Sequence, residues 1–347
     1  MWYVGLDVHI ATTSVSIRNS RGTITKREVV ETTAAELRRV IGKVRGKARI
    51  VCESGPLARW IRDTLETRLR QVEVCDRRKT RLVAGGAKTD RIDADRLSEL
   101  LWNNDLRAIH VPRGAEVVLR QYMAHYVRMV RDRTRIILRL RSLFLECGIQ
   151  IKSSRRAPER VPLQRLRNPT VKYIARAYLT QLQLASHLVE DARNQFLECA
   201  RASEVFRLLQ TIPYVGEIRA AQLLAIVGHP DRFRSRRRFW SYGGLGVIQR
   251  TSSDHRVANG RVFREEKSRG LRLAKTGQPL LKKVLRDVAL YSSLGRGSFR
   301  SIYDAHVKRG LEPSTARLAL ARKIAVVILA VWRSGVPFNP QLIQPCK

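Results

Sequence analysis

Residues 3–9 read YVGLDVH. Val4, Leu6 and Val8 alternate with the other positions, the period of a strand, and a carboxylate, Asp7, sits near its end. Working outward, TSVSIR (13–18) and ITKREVV (24–30) predict two further strands, with turn signals at Asn19-Ser20 and Arg21-Gly22. Thr32 and Thr33 offer a cap to a helix through Ala35, Leu37, Val40 and Ile41. ARIVCE (48–53) predicts a buried strand that ends in Glu53, followed by a helix from about Pro56 to Leu69. QVEVC (71–75) predicts a fifth strand, and another helix begins near Asp90 in KTDRIDAD (88–95).

Three strands, helix, strand, helix, strand, helix is a ribonuclease H-like α/β order, expected over residues 1–112. That order gives the acidic residues a common purpose. Asp7 lies on the first strand and Glu53 at the end of the fourth, which would pair beside it. Asp90 and Asp93 are three apart at a helix start and so share a face. Four carboxylates that converge suit two hard cations with oxygen ligands, the arrangement that supports phosphoryl transfer. Each residue alone also has an ordinary reading. Asp7 is one strand aspartate, Glu53-Ser54 suits a strand-end loop, and Asp90 suits a helix N-cap. Asp95 competes with Asp93 for the last position. The joint placement favours a site.

Lys and Arg number 67 against 30 Asp and Glu, a formal net charge of +37 over 347 residues. Such an excess suits a polyanion, whose phosphates release counterions when neutralised. A chain that is 44% hydrophobic is not a disordered basic tail. No apolar run is long enough to span a bilayer and no signal peptide is expected ahead of WYVGLDV. The five cysteines (52, 75, 147, 199 and 346) have no CxxC spacing and the histidines form no HxxxH or HxH pair. Reduced structural thiols are expected, not disulfides or a His/Cys metal site.

Further along, residues 114–147 carry apolar positions 119, 122, 126, 129, 130, 137, 140 and 144 at helical spacing. Residues 148–169, with Gly148, Pro158, Pro162 and Pro169, read as a basic linker. A second long helix is expected over about 171–200, so the pair would form a helical hairpin or coiled coil. That pair serves as internal packing, or as a dimerisation arm and nucleic-acid surface. SEVFRLLQTIPYVGEIRAAQLLAIVG (203–228) predicts a helix-hairpin-helix around Pro213 and Gly216, whose second helix would offer its N–H groups to phosphate. RSRRR (234–238) beside Phe239-Trp240 adds charge and aromatic surface. Residues 241–260 read as loop, with adjacent Ser252 and Ser253. Helices follow over about 273–292, 297–309 and 314–334.

Several stretches together carry a resemblance: GLDVH at 5–9, CESG at 52–55, KTDRIDA at 88–94, IPYVGEIRAAQLLAIVG at 212–228, RFxxxRxFxSYGGL at 232–245, LAKTG at 273–277 and SGVPFNP at 334–340. By these the chain resembles the insertion-sequence transposases of the one-ten family and its eleven-eleven subgroup, to which the Piv DNA invertase also belongs. The resemblance implies a RuvC-like catalytic domain at 1–112 and a coiled-coil helical hairpin with a basic linker at 113–200. A mainly α C-terminal domain at 201–340 would contain the helix-hairpin-helix and a catalytic serine. It assigns Asp7, Glu53, Asp90 and Asp93 as catalytic metal ligands for Mg²⁺ or Mn²⁺. The family serine lies seven residues after the leucine of the Gly-Gly-Leu stretch; counting from Leu245 gives Ser252. This chain departs from the pattern there, because Ser253 and Asp254 follow where a glycine is usual, and the segment before LAKTG is longer. Ser253 therefore stays a second candidate.

The activity implied is RNA-guided DNA transposition. A non-coding bridge RNA pairs with donor and target DNA, and a serine joins covalently to the DNA through a 5′-phosphate. Strand exchange then passes through a Holliday junction. A homo-oligomer, dimer or tetramer, in the cytoplasm of a bacterium or archaeon at the nucleoid is implied, with no membrane partner. The alternatives are a RuvC-type junction nuclease, which needs the carboxylates and no serine, and a non-catalytic binding protein on the same scaffold, against which the intact carboxylates argue.

Overall fold

A computed structural model describes residues 1–76, 90–151, 161–248, 255–258, 261–264, 272–274 and 276–343; for residues 90, 91, 248, 255–258, 262–264, 272 and 342 it describes the backbone alone. The chain divides into two compact units, Met1–Pro112 and Arg113–Lys347. The first is mixed α/β and the second is mostly helical.

In the first unit β1 (Trp2–Val8), β2 (Thr12–Arg18), β3 (Ile24–Glu31), β4 (Ala48–Glu53) and β5 (Arg70–Cys75) form one sheet of order β3-β2-β1-β4-β5. β1 to β3 make an antiparallel meander, while β4 and β5 run parallel to β1. The parallel pairs require crossover connections, which helices α1 (Ala34–Gly42) and α2 (Ala58–Leu65) provide. Thr33 caps α1 by accepting from the Glu36 amide at 3.3 Å. Val4, Leu6, Ile50, Cys52, Val72 and Val74 bury one face of the sheet against Leu37, Ile41, Ile61 and Leu65 of these helices. α2 is shorter than its expected 56–69, because Thr67 and Arg70 close a tight turn there. On the other face lies α3 (Asp90–Trp102), whose Leu97 and Leu101 pack on Val51 and Cys75.

The second unit opens with α4 (Ala115–Glu146) and α5 (Pro169–Arg201), two long helices that pack along one another. α5 starts two residues earlier than expected. Pro169 does not break it but occupies its first turn, where the missing N–H costs nothing, and Asn168 accepts from the amides of Thr170 and Val171. The far end of the pair has its own core of Ile137, Leu140, Phe144, Leu166, Ala175 and Leu182. Ile149, Ile151, Val161 and Leu163 join it, so the described parts of the supposed linker pack on the hairpin.

The near end of the hairpin belongs to a larger core built on α6 (Glu204–Gln210), α7 (Glu217–Val227), α8 (Arg236–Tyr242), α9 (Pro279–Leu294), α10 (Ser298–Lys308) and α11 (Pro313–Ser334). Arg120 and Arg232 donate to the last carbonyls of α7, at Ala225, Ile226 and Val227, closing a buried helix end. The stretch 241–260, expected as loop, holds β6 (Val247–Ile248) and β7 (His255–Ala258), and β8 (Arg261–Arg264) and β9 (Arg272–Leu273) follow it. β7 pairs with β8 and β6 with β9, both antiparallel. Asn259-Gly260, a strong hairpin dipeptide, stands between β7 and β8 in the sequence. α9 begins at Pro279 with Gln278 as its cap, later than expected, since residues 272–273 belong to β9.

Candidate active site

Asp7 and Glu53 come to neighbouring places by strand register. β1 and β4 run parallel with Leu6 level with Cys52, so the next residue on each strand is a carboxylate. Both point to the α3 face. Tyr3, Gly5 and Asp7 alternate with Val4 and Leu6, which enter the α1–α2 core, and Glu53 shares the parity of Val51, which packs under α3.

The direction of α3 brings its start to the same end of the sheet. Gly5 lies directly beneath the helix: a Cβ there would sit 2.1 Å from the Ala94 carbonyl oxygen and 2.6 Å from the Ser98 amide nitrogen. Further along the helix, Ser98 Oγ is 3.3 Å from Ser16 Oγ on β2, and Trp102 Nε1 donates to the Ser20 carbonyl at 3.2 Å. Ser16 is opposite Gly5 and Arg18 opposite Tyr3, so α3 runs antiparallel to β1. Its first turn, with Asp90 and Asp93, therefore lies at the end of β1 and β4 that carries Asp7 and Glu53.

Asp95, which competed with Asp93 on sequence, is engaged elsewhere. Arg27 Nε on β3 donates to both its oxygens at 3.0 and 2.8 Å. Asp93 is half-buried in the first turn of α3. The Asp90 side chain lies outside the described residues.

One further residue joins the group. His9 Nε2 is 3.1 Å from Asp7 Oδ2, with the Asp7 side chain 15% exposed and His9 48%. Both residues stand in GLDVH, but the contact forms just past the end of β1, where the strand period no longer says which way a side chain points. On the opposite face of β4, burial followed by the charge of the adjacent Glu53 pushes the Cys52 thiol up to about 12. The Cys75 thiol, level with Glu53 on β5, is pushed to about 12 by the same two causes in the same order. Both thiols stay protonated at neutral pH and are neither nucleophiles nor thiolate ligands; Cys75 lies on the α3 face beside Glu53, and Cys52 in the core under α1 and α2.

Among the described side chains no group of three His, Cys, Asp or Glu stands ready to hold a metal ion. The chemistry of the donor set nevertheless suits Mg²⁺. Two carboxylates in register on a rigid sheet end are what that ion commonly takes from protein, with waters and substrate phosphates completing its shell.

Ser252 and Ser253 lie outside the described residues. The ends of their segment are placed, however. β6 leads into it and β9 leads out, paired Val247 to Leu273. The Ala274 amide donates to the Gly246 carbonyl at 2.8 Å and the Gln278 amide to the Tyr242 carbonyl at 2.7 Å. This closeness needs glycine: a Cβ on Gly277 would stand 2.7 Å from the Gly244 backbone, and both residues have positive φ. The SYGGL and LAKTG stretches are thus two sides of one clasp.

A transposase family model of the DEDD IS110 type matches residues 4–149, the sheet, α3 and the hairpin's first helix. A second, described as "Transposase IS116/IS110/IS902 family", matches residues 206–304, which include the clasp. The chain belongs to the IS110/IS1111 transposase family. The transposase for insertion sequence element IS1111A of Coxiella burnetii is 25% identical over 50% of this chain and 49% of its own length. The Sinorhizobium fredii protein y4pF/y4sB, whose name also describes a transposase, is 23% identical over 73% of this chain and 64% of its own length. The IS110/IS1111 chain thus spans about half of the first relative and under two thirds of the second. Among the described residues no helix is long and apolar enough to cross a membrane.

Proposed function

We propose that this chain is the transposase of an insertion sequence, a DNA recombinase whose chemistry is phosphoryl transfer. The observation that carries the reading is the register of Asp7 beside Glu53, with the first turn of α3 at the same sheet end. The strand order with two antiparallel and two parallel pairings supports a ribonuclease H-like, RuvC-like scaffold. In this reading Asp7, Glu53, Asp90 and Asp93 hold Mg²⁺ or Mn²⁺. When bound, the metal would favour ionisation of an attacking hydroxyl and offset charge on the phosphate. His9 orients Asp7 through their contact.

Ser252, with Ser253 as the alternative, attacks a DNA phosphate. The serine oxygen–phosphorus bond forms, the bond to the 3′-oxygen breaks, and that oxygen leaves as a 3′-hydroxyl with the proton. The 5′-phosphoserine keeps the bond energy, so a second 3′-hydroxyl reseals the strand without a nucleotide cofactor. The placed clasp supports this role, because it fixes both ends of the serine segment. The composite site would draw its two parts from different copies of an oligomer, which the hairpin would help to assemble.

A bridge RNA would choose the DNA by base pairing while the protein holds backbone, as in other RNA-guided systems. The charge of +37 supports that division. So does a groove of about 660 Å³ on the second unit, lined by Lys282, Lys283, Arg286 and Arg317 beside the start of α11. The α6–turn–α7 segment has the outline of a helix-hairpin-helix. Its positive φ falls on Tyr214, not Gly216, and Glu217 occupies the first turn of α7, bonded to Arg201 at 2.9 Å. That carboxylate does not favour a phosphate there.

The test incubates the protein with its element ends, the flanking RNA and Mg²⁺ and runs a denaturing gel for protein joined to DNA. An adduct lost in Ser252→Ala and kept in Ser253→Ala supports the mechanism and selects the nucleophile. Nicked DNA with no adduct in any variant points to a junction nuclease.

A further inference from the structure

Where α7 begins, the second unit has an open cavity of about 530 Å³ between α4, α5, α7 and α9. Tyr126, Val127, Val130, Leu280 and Val284 supply apolar wall. Gln222 of α7 also lines it. Gln222 is only 9% exposed, and it borders the open space of the pocket. A primary amide at such a wall has a donor and an acceptor to offer to whatever enters.

Several charged groups at the rim are engaged with neighbours. Glu217 at the first turn of α7 is bonded to Arg201 and lies 3.7 Å from Arg193. Lys283 is paired with Asp287 at 2.7 Å. Arg219 donates to the Tyr214 carbonyl at 2.8 Å and stands over the Tyr291 ring, 4.9 Å from its centre. With Arg131, four cations of the lining stand against Glu217 and Asp287, a positive surplus that the phosphate attached to a base would meet. What the cavity lacks is a flat, uncharged guest with a donor and an acceptor side by side.

We infer that this cavity receives one unpaired nucleobase, whose edge Gln222 reads. An amide presents its N–H and C=O together, the pattern that adenine matches. Apolar and aromatic walls hold a splayed base, as in single-stranded recognition, and the volume suits a single nucleotide and not a strand. The inference rests on the nucleic-acid reading above. The base comes either from the guide RNA, in a loop or bulge, or from DNA opened during strand exchange.

The test measures binding of the full chain to short single strands of adenine nucleotides. Each is compared with an abasic chain of the same length and charge, in ribose and deoxyribose forms. The abasic arm reports phosphate binding alone, so the difference reports the base. Wild type is expected to prefer the adenine strand about tenfold, and Gln222→Leu is expected to lose that preference. The same variant should melt no lower than wild type, since it replaces a largely buried amide by an apolar group of similar size. A preference in the ribose form alone places the base in RNA; one in the deoxyribose form places it in DNA. Equal affinity of wild type for adenine and abasic chains, or a preference kept in Gln222→Leu, overturns the inference. Failure of the protein to bind either chain at low salt would overturn the nucleic-acid reading, and the inference with it.

Discussion

Gly5 decides how near α3 comes to the sheet. Its added Cβ would meet backbone atoms of Ala94 and Ser98, which cannot swing aside. Overpacking of this kind costs about 1–3 kcal/mol. Gly5→Ala is therefore expected to lower the melting temperature of the first unit and to impair strand cleavage together. Unchanged melting would show that α3 does not seat on Gly5. Asp93 and Asp95 should separate in the opposite way. Asp95→Ala breaks the Arg27 pair and loses some stability while keeping cleavage, whereas Asp93→Ala keeps stability and loses cleavage. Inactivity of Asp95→Ala in a protein that melts normally would contradict this. The two raised thiols give a pH dependence. Their folded values, about 12, exceed the ordinary 9.0, so the unfolded chain releases these protons first. Their contribution to stability is whole below pH 9 and falls as pH rises from 9 toward 12. Denaturant midpoints should drop across that window in wild type and drop less in a Cys52→Ala, Cys75→Ala protein.

At the scale of elements, the hairpin of α4 and α5 holds its far end together by a separate core, with Phe144 fully buried at its centre. Phe144→Ala is expected to cost about 3–5 kcal/mol there. Hydrogen exchange should quicken in residues 136–182 and stay unchanged in residues 1–112; a uniform change would mean the two cores unfold as one. The elements were mostly legible because their periods are clean, two in β1 and β4 and near 3.6 in α4 and α5. The misreadings have physical causes. By sequence Pro169 falls with the linker and the helix expected over 273–292 runs through Pro279, but both prolines stand at helix first turns, where proline starts a helix. β6 and β9 are two residues each, too short to carry a period, and the clasp that joins them is made by backbone hydrogen bonds. Such bonds leave their mark in the glycines at 244 and 277, not in any pattern of side chains. At the site, strand order and helix spacing make Asp7, Glu53, Asp90 and Asp93 candidates together, with Asp95 left competing with Asp93. His9 and the engagement of Asp95 by Arg27 needed the register of β1 and the reach of β3.

For the molecule as a whole, charge and site make separate contributions that experiment can part. A chain of +37 is expected to bind nucleic acid with an affinity that falls steeply as salt rises, whatever happens at the sheet end. A flat salt response would remove the electrostatic reading. In the proposed reading the carboxylates contribute to chemistry and little to that affinity, so removing one should leave binding and abolish cleavage. The direct measurement is strand cleavage at the element's own ends, with the RNA present, by wild type, Asp7→Asn and Glu53→Gln, in Mg²⁺ and after chelation by EDTA. Wild type is expected to cleave only with Mg²⁺, and both variants to bind the nucleic acid as tightly as wild type yet cleave at least a hundredfold more slowly, the scale of losing a metal-held phosphate (about 3 kcal/mol). Cleavage at the wild-type rate by either variant, or by wild type in EDTA, would contradict a metal-dependent site at the ends of β1 and β4.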